Sequence, residues 1–251
     1  MMYSSPPESA RATLAPGPVT RRVRHAAPSK PRSTTPTGPE QNWIERFNRV
    51  YKEADGDHRA VPWSHAKPNP ALIAWLNTTA HELVRPGARV AVVGCGLGTD
   101  AVALADRGFE VTAFDACREA VRWARALHPQ HNHIFRVADL LTLPDDLRHR
   151  FDLVAEVHTL QSLPPAFRDS LAAGMSELLS PHGVICAIAR GREDDVPLDA
   201  IDGPPFAFTP AELERTLGSA SLELAREIDD FHDHNEPPVR RLRATAVKRR
   251  L

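Results

Sequence analysis

The chain has 251 residues and a formal net charge of −1 at pH 7, which excludes an overall electrostatic attraction to nucleic acid or to a membrane surface. No apolar run approaches the roughly 20 residues that a membrane-spanning helix needs. The three cysteines are too few and too scattered for a disulfide scaffold, so we expect reduced thiols in a cytoplasmic protein. The length accommodates one α/β domain with appendages.

The N-terminal segment, residues 1–40, differs in composition from the rest of the chain. It contains eight prolines and many serine, threonine and arginine residues, with hardly any periodic apolar positions. Such a segment buries too little apolar surface to offset the entropy that ordering costs. We therefore expect a disordered tail, rich in proline and arginine, over residues 1–40 and an ordered domain over residues 41–251.

The first part of that domain, residues 41–85, is predicted to be mainly helical. Apolar residues fall at helical spacing near its start, at Trp43, Ile44, Phe47, Val50 and Tyr51. Prolines 62, 68 and 70 then indicate an irregular loop. A second helix is expected from about Pro70 to Val84.

A strand, a glycine turn, a helix and a second strand follow between residues 89 and 116. Val90–Val93 is a short apolar run, typical of a strand that is covered on both faces. Glycine lets the backbone turn sharply and approach a ligand closely, and three glycines come next, Gly94, Gly96 and Gly98. After the helix, which Gly108 ends, and the second strand, Asp115 is placed to accept hydrogen bonds from both hydroxyls of a ribose. The segment predicts a cofactor that contains a nucleoside.

The glycine spacing separates two kinds of cofactor. The dinucleotide fingerprint G-x-G-x-x-G holds a pyrophosphate with backbone amides and a helix N-terminus. Here the third glycine comes one residue early, and Thr99 stands in its place. This G-x-G-x-G spacing resembles that of methyltransferases that use S-adenosyl-L-methionine, a cofactor without phosphate. An NAD-dependent oxidoreductase is the alternative at this point.

Two later segments favour the methyl donor. A third strand beginning near His133 is expected to end in Ala138-Asp139-Leu140, and an acid at that strand end resembles the methyltransferase residue that accepts from the adenine amino group. Asp139 and Leu140 hold that position. Phe151–Val154 resembles the start of the fourth methyltransferase strand, which would place Glu156 to Leu160 at the mouth of the active site.

Each acid also has a structural interpretation. Asp115 is suited to capping a helix that begins near Arg118, and Asp139 is suited to capping a turn or a helix. Asp152, which precedes the fourth strand, is expected to be structural. The two interpretations of Asp115 and Asp139 remain open on sequence alone.

The rest of the chain continues the alternation of strands and helices that implies a parallel sheet. Clustered arginines near the C-terminus are expected on a solvated edge strand. The expected elements are a helix over 165–179, a buried strand over 184–189, a loop over 190–205, a helix capped by Thr209 with Pro210 at its first position, and an antiparallel hairpin formed by strands 221–228 and 239–247.

Two motifs resemble one family of known proteins. VVGCGLGTDAVALADRGFEVTAFDA is similar to V-P-G-C-G-x-G-x-D…G-x-x-V-x-G-x-D, and VPWSHAKPNPALIAWL is similar to P-W-D-x-G-x-P-x-P-x-L. Both patterns are typical of the class I methyltransferase group that contains thiopurine, halide/thiol and tellurite-resistance-type methyltransferases. The resemblance implies an α/β, Rossmann-like fold: a mostly parallel seven-stranded sheet, helices on both faces and one reversed strand in a C-terminal antiparallel hairpin.

The resemblance also implies a set of site residues. The methionine and ribose portion of the cofactor would contact Gly94, Cys95 and Gly96. The ribose would lie against Asp115 and Ala116, the adenine between Asp139 and Leu140, and Glu156 would stand at the lip of the site. Residues 41–85 would form a helical lid that includes Trp43 and Trp63. The chain departs from the pattern at Val92, where many class I enzymes have an acid, and at Ser64, where the group has aspartate.

The predicted function is methyl transfer from S-adenosyl-L-methionine to a small molecule, with a thiol slightly favoured over an oxygen or nitrogen acceptor. A thiol has a pKa of about 8.5 and needs little help from a base, whereas an alcohol or phenol needs more. His158 is the candidate base, with a hydrogen-bonded pocket-wall histidine as its alternative. A non-catalytic cofactor-binding module is the other alternative. We expect no metal site and no nucleic-acid or membrane partner, and no motif indicates an oligomeric state.

Overall fold

The computed structural model describes residues 43–249, so the predicted tail over residues 1–40 lies outside the described residues. The described chain alternates helices and strands as expected. Its α-helices are α1 (Trp43–Glu53), α2 (Pro70–Thr78), α3 (Ala80–Leu83), α4 (Thr99–Ala105), α5 (Arg118–Leu127), α6 (Arg168–Leu178) and α7 (Pro210–Ser219). Its strands are β1 (Arg89–Val93), β2 (Glu110–Asp115), β3 (Phe135–Val137), β4 (Phe151–Val157), β5 (Leu179–Arg190), β6 (Leu222–Leu224), β7 (Asp229–His232) and β8 (Arg240–Lys248).

These strands form one mixed sheet in the order β3-β2-β1-β4-β5-β8, with β6 and β7 both paired to the far side of β8. Strands β1 to β5 pair in parallel, and β8 runs antiparallel to its neighbours. The predicted Rossmann-like, mostly parallel sheet with a C-terminal antiparallel hairpin is confirmed. The described chain has eight strands rather than seven because the outermost strand is interrupted between Leu224 and Asp229.

The expectation that the C-terminal arginines lie on an edge strand is wrong. Arg240, Arg241 and Arg243 belong to β8, which is an inner strand because residues 229–232, expected to be part of the hairpin connection, form β7 beside it. Ion pairs join β8 to β7, between Arg240 and Asp230 and between Arg243 and Asp229, and Arg241 pairs with Asp233 just beyond the end of β7. These arginine side chains are therefore neutralised by aspartates rather than by contact with solvent.

Helices cover both faces of the sheet. On one face, α6 and α7 contribute Leu171, Met175 and Leu213 to a core with the inner side chains of β4, β5 and β8. On the other face, α2, α4 and α5 pack against β1, β2 and β5. Trp75 of α2 is fully buried there and donates its indole N–H to Thr245 of β8 at 2.8 Å. Between the two cores, the carboxyl ends of the parallel strands β1 to β5 lie side by side, and we refer to that end of the sheet as the edge.

Local signals set several helix ends. Asn69 caps α2 by accepting from the N–H of Ala71, and Thr209 forms a capping box with Glu212 at the start of α7. The single helix predicted from Pro70 to Val84 is instead divided at Thr79, which separates α2 from α3. The third strand begins at Phe135 rather than His133, because Pro129–Ile134 forms a 3-10 turn. No helix within residues 43–249 combines the length and apolarity that crossing a membrane requires.

Two helical glycines provide a matched test of this packing. A Cβ at Gly174 of α6 would overlap the carbonyl oxygen of Leu140, whereas a Cβ at Gly218 of α7 would meet no atom within 4 Å. We expect Gly174→Ala to lower the free energy of unfolding by about 1–3 kcal/mol through overpacking. Gly218→Ala should raise it by about 0.5–1 kcal/mol through helix propensity. Urea denaturation measures both, and equal effects of the two substitutions would contradict the close approach at Gly174.

Candidate active site

The turn after β1 has a backbone that glycine alone adopts readily. Gly94, Gly96 and Gly98 have φ values of +58°, +53° and +86°. A side chain at Gly94 would overlap the Thr159 hydroxyl, and a Cβ at Gly98 would lie 2.5 Å from the Phe135 ring. Between them, the N–H of half-buried Cys95 donates to the carbonyl of Phe114 at 3.0 Å. The turn is therefore held tightly against β2 and the end of β4.

Asp115, the last residue of β2, closes the other side of this turn. One carboxylate oxygen accepts from the Gly96 N–H at 3.0 Å and the other accepts from the Cys117 N–H at 2.8 Å. Burial raises the pKa of Asp115, while these two N–H groups oppose that shift. The N-cap position of α5 belongs to Cys117, so Asp115 is not itself that cap. Each carboxylate oxygen of Asp115 retains acceptor capacity for a ligand hydroxyl. The next residue, Ala116, is half-buried.

Asp139 and Leu140 follow β3 at the same edge. One Asp139 oxygen accepts from the Leu141 N–H at 2.9 Å, which caps the turn Leu140–Thr142. The capping role considered for Asp139 is therefore present in the structure. Its second oxygen has no partner within residues 43–249, so capping leaves an acceptor available. Leu140 is buried and packs under Gly174.

Glu156 of β4 is fully buried at this edge. Its Oε1 accepts from the N–H groups of Thr159 and Leu160, at 2.5 and 3.0 Å. Its Oε2 is buried and has no hydrogen-bond partner within the described residues. Burial raises the pKa of Glu156 to about 7, against the lowering effect of nearby backbone N–H groups.

His158 lies just beyond β4 with a positive φ of +68°. Its Nε2 is 3.3 Å from Nδ2 of Asn69, whose Oδ1 already accepts from the start of α2. The Asn69 amide must therefore donate, and the imidazole accepts through Nε2. Burial, with the guanidinium of Arg241 nearby, lowers the pKa of His158 to about 4. A group this weakly basic is a poor match for removing a proton from a thiol or a phenol.

Helix α1 and the proline loop meet above the glycine turn in an aromatic cluster. The Trp63 indole donates to the Tyr51 hydroxyl at 2.8 Å, and a Cβ at Gly96 would lie 3.5 Å from that hydroxyl. Trp43 is buried, with its ring 6.4 Å from that of Phe206. Trp63 stays 38% exposed. Both predicted lid tryptophans thus lie in segments that adjoin the candidate site.

Three residues that organise this edge were not predicted as site residues: Tyr51, which was expected only in a helical stripe, Asn48 and Asn69. Thr159 was predicted within the segment Glu156 to Leu160 at the mouth of the site, but without contacts of its own. Asn48 accepts from the Cys117 thiol at 2.8 Å and from the Glu119 N–H at 3.2 Å, which fastens α1 to the start of α5. A polar residue inside the apolar stripe of α1 was the available signal for Asn48. Nothing local indicated the long-range contacts of Thr159.

Asp152 and two histidines whose spacing resembles that of metal ligands, His128 and His131, have structural partners away from this edge. Asp152 is at the opposite end of the sheet, where it accepts from the Arg89 N–H at 3.1 Å and pairs with Arg85, consistent with the structural role predicted for it. His128 contacts the Leu97 carbonyl and His131 pairs with Asp106. Across the described residues, no group of three His, Cys, Asp or Glu side chains is arranged to hold a metal ion.

Comparison with known proteins decides the family. The family model described as thiopurine S-methyltransferase matches residues 56–250. This chain belongs to the thiopurine S-methyltransferase family. It is accordingly a methyltransferase that uses S-adenosyl-L-methionine, and the alternative of an NAD-dependent oxidoreductase is set aside.

Individual relatives of this thiopurine S-methyltransferase family member differ in their acceptors. Probable thiol methyltransferase 2 of Arabidopsis thaliana is 27% identical over 176 residues, which cover 68% of this chain and 73% of the relative. The ubiquinone biosynthesis O-methyltransferase of Xanthomonas campestris pv. campestris (strain B100) is 32% identical over 189 residues, which cover 68% and 75%. Sequence similarity therefore extends to both sulfur and oxygen methyltransferases.

A solved structure has the same fold. The Burkholderia thailandensis 1,6-didemethyltoxoflavin-N1-methyltransferase was solved with 1,6-didemethyltoxoflavin and S-adenosylhomocysteine bound. It superposes with a TM-score of 0.63 at 22% identity, covering 86% of this chain and 93% of that one.

The residues of this edge fit the family cofactor on three observations. The glycine turn brings backbone close without side chains, Asp115 keeps acceptor capacity for ribose hydroxyls, and Glu156 presents an unpartnered buried oxygen. S-adenosylmethionine carries matching groups, namely two ribose hydroxyls and a positively charged amino acid end. The hydrogen-bond acceptors and the glycine backbone at this edge are thus chemically suited to S-adenosylmethionine.

The buried state of Glu156 predicts a pH-dependent stability. An unfolded glutamate titrates near 4.5, while the folded group titrates at about 7, so its contribution is fully present below pH 4.5 and is lost as pH rises through 7. We expect the free energy of unfolding of the cofactor-free protein to fall by about 3 kcal/mol between pH 4.5 and 8, relative to Glu156→Gln.

Urea denaturation across that pH range measures the difference, with Glu223→Gln, on the exposed side of β6, as the matched carboxyl-to-amide control. A gap between wild type and Glu156→Gln that stays constant with pH would contradict the buried, unpaired state of the carboxyl.

Proposed function

We propose that this methyltransferase transfers the methyl group to the sulfur of a small thiol. The observation that carries the proposal is the state of His158, which Asn69 holds as a neutral hydrogen-bond acceptor and whose pKa is lowered to about 4. A site with so weak a base suits an acceptor that ionises without assistance. A thiol with a pKa of about 8.5 meets that requirement better than a phenol or an alcohol.

The cofactor, when bound, supplies a methyl group that is already activated on a sulfonium. The chain then has to align the acceptor and exclude water. We assign the methionine and ribose portion to Gly94, Cys95 and Gly96, the ribose hydroxyls to Asp115 beside Ala116, and the adenine to Asp139 and Leu140. Glu156 stands at the amino acid end. These assignments are supported by the backbone shape of the turn and by the spare acceptors at its rim.

The acceptor would enter between the strand ends and the aromatic cluster of α1 and the proline loop. Trp63 bonds to the Tyr51 hydroxyl above the glycine turn and provides accessible apolar and cation–π surface there. Trp43 is buried against Phe206 and is the less accessible of the two. We assign His158 to the wall of this space, as a residue that positions the acceptor through its fixed ring. The free thiols of Cys95, Cys117 and Cys186 support the proposal that the protein works in the reducing cytoplasm.

Oxygen methylation is the second candidate, favoured by the 32% identical ubiquinone biosynthesis O-methyltransferase. Matched acceptors distinguish the two. With methyl-labelled donor, we expect thiophenol to yield product at least roughly tenfold faster than phenol at pH 7.5, because far more of it is ionised. Product from phenol or aniline, with none from any thiol, would contradict the sulfur assignment.

The role of His158 has a separate test. We expect kcat/KM for a thiol to rise with pH and to level off above the pKa of the thiol, since the thiolate is the nucleophile. His158→Asn should keep that midpoint and lower the rate by less than about tenfold, an effect typical of lost positioning rather than lost base catalysis. A midpoint that disappears in the variant would identify His158 as a base.

Asp115 tests the cofactor assignment. We expect Asp115→Asn to weaken S-adenosylhomocysteine binding by roughly tenfold to a hundredfold, because charge-assisted hydrogen bonds to the ribose are lost. Calorimetric titration measures the affinity for S-adenosylhomocysteine. Asp145→Asn is the control, because Asp145 is a fully exposed aspartate that is not assigned to the cofactor. Unchanged affinity in Asp115→Asn would place the ribose elsewhere.

A further inference from the structure

Glu156 occupies a position from which a carboxylate reaches the glycine turn. It pairs in register with Val93, the residue before Gly94, and with Ala187 on the other side. Its side chain shares a sheet face with these two residues, because in-register neighbours on parallel strands point the same way. The carboxyl group is therefore at the end of β1, where the chain turns away from the sheet.

The hydrogen bonds around Thr159 fix that proximity. The Thr159 N–H donates to Oε1 of Glu156, and its hydroxyl donates to the carbonyl of Val93 at 3.0 Å. The same hydroxyl fills the space that a Cβ on Gly94 would need. One residue thus touches both the carboxylate and the turn.

The carboxylate lacks a counter-charge of its own. Oε1 has two backbone donors, but Oε2 has none, and no lysine, arginine or histidine within residues 43–249 forms an ion pair with Glu156. An unpaired buried charge is costly and calls for a partner or a proton. The other acids nearby differ from Glu156 in their donors: both oxygens of Asp115 accept from backbone N–H groups, of Gly96 and Cys117, and Asp100 accepts from the Asn69 N–H at 2.6 Å.

The cofactor brings the missing charge. Its amino acid end carries an ammonium, and β1 offers no acid to receive it, since Val92 and Val93 are apolar. We propose that Oε2 of Glu156 accepts a charge-assisted hydrogen bond from the ammonium of the methionyl portion of the cofactor. This assignment rests on the cofactor placement proposed above and adds which atom holds its amino group. Burial raises the pKa of Glu156, and pairing with an ammonium would favour the ionised form of the carboxyl group.

Two ligands that differ by one group isolate this contact. S-adenosylhomocysteine carries the ammonium but no sulfonium charge, and its deamino analogue lacks only the ammonium. We expect wild type to bind S-adenosylhomocysteine tenfold to a hundredfold more tightly than the analogue by calorimetry, a ratio typical of a charge-assisted hydrogen bond. In Glu156→Gln, which keeps an oxygen for the Thr159 and Leu160 N–H groups, the ratio should fall to about one.

The exposed Glu223→Gln is the matched control and should keep the wild-type ratio. Equal affinities of wild type for the two ligands overturn the assignment without any variant, so a Glu156→Gln protein that fails to fold leaves it falsifiable. A ratio that persists in folded Glu156→Gln also overturns it, because another group then holds the ammonium. An effect seen with S-adenosylmethionine but not with S-adenosylhomocysteine overturns it in favour of the sulfonium. If wild type binds neither ligand, the proposed cofactor site fails and this assignment fails with it.

Discussion

The hydrogen bond from the Gly96 N–H to the Asp115 carboxylate joins the turn after β1 to the last residue of β2. It requires a positive φ within the turn, which glycine adopts without strain. It also requires that the carboxyl ends of the two parallel strands lie side by side, as their register from Arg89 to Val93 ensures. This contact fixes backbone and acid together at the candidate site, and the neighbouring strands on either side supply Asp139 and Glu156.

The N-terminal helix belongs to the same arrangement. Asn48 takes the position of a capping group for α5 although it lies on a different helix, and Tyr51 brings its hydroxyl over the turn. The rings of Tyr51, Trp63 and Trp123 pack edge to face around this point, with centroids 5.8 and 5.9 Å from that of Tyr51. The covering of the site is thus built from side-chain contacts that also stabilise the start of α5.

Much of the fold could be predicted from local patterns. The apolar run of β1, the glycine turn and the Thr209–Pro210 helix start are each encoded within a few residues, and each has the predicted form. The break at Thr79 and the strand Asp229–His232 were missed for a different reason. Asp229–His232 is a strand because it pairs with Arg240–Arg243 of β8, a contact that the composition of the segment itself does not show. The Thr79 hydroxyl accepts from Arg226, a residue remote in sequence that no local pattern could indicate.

The same distinction between local and long-range features applies to the candidate site. The acids at the strand ends could be proposed from spacing and resemblance, because their positions follow from the order of strands. The state of each group could not be predicted, because it depends on burial and on neighbours that are remote in sequence. Burial leaves Oε2 of Glu156 without a partner among the described residues, and burial together with the guanidinium of Arg241 lowers the pKa of His158. Sequence indicated which residues lie at the edge, and packing determined their charge.

The contact between Thr159 and Gly94 ties together two segments that are remote along the chain. The threonine hydroxyl fills the volume that any larger residue at position 94 would occupy, and it also binds the last carbonyl of β1. Glycine is therefore required at position 94 for two separate reasons, the positive φ of the backbone and the space that the threonine hydroxyl fills. A smaller residue at position 159 would remove only the second reason, so the constraint on position 94 would outlast any change at position 159.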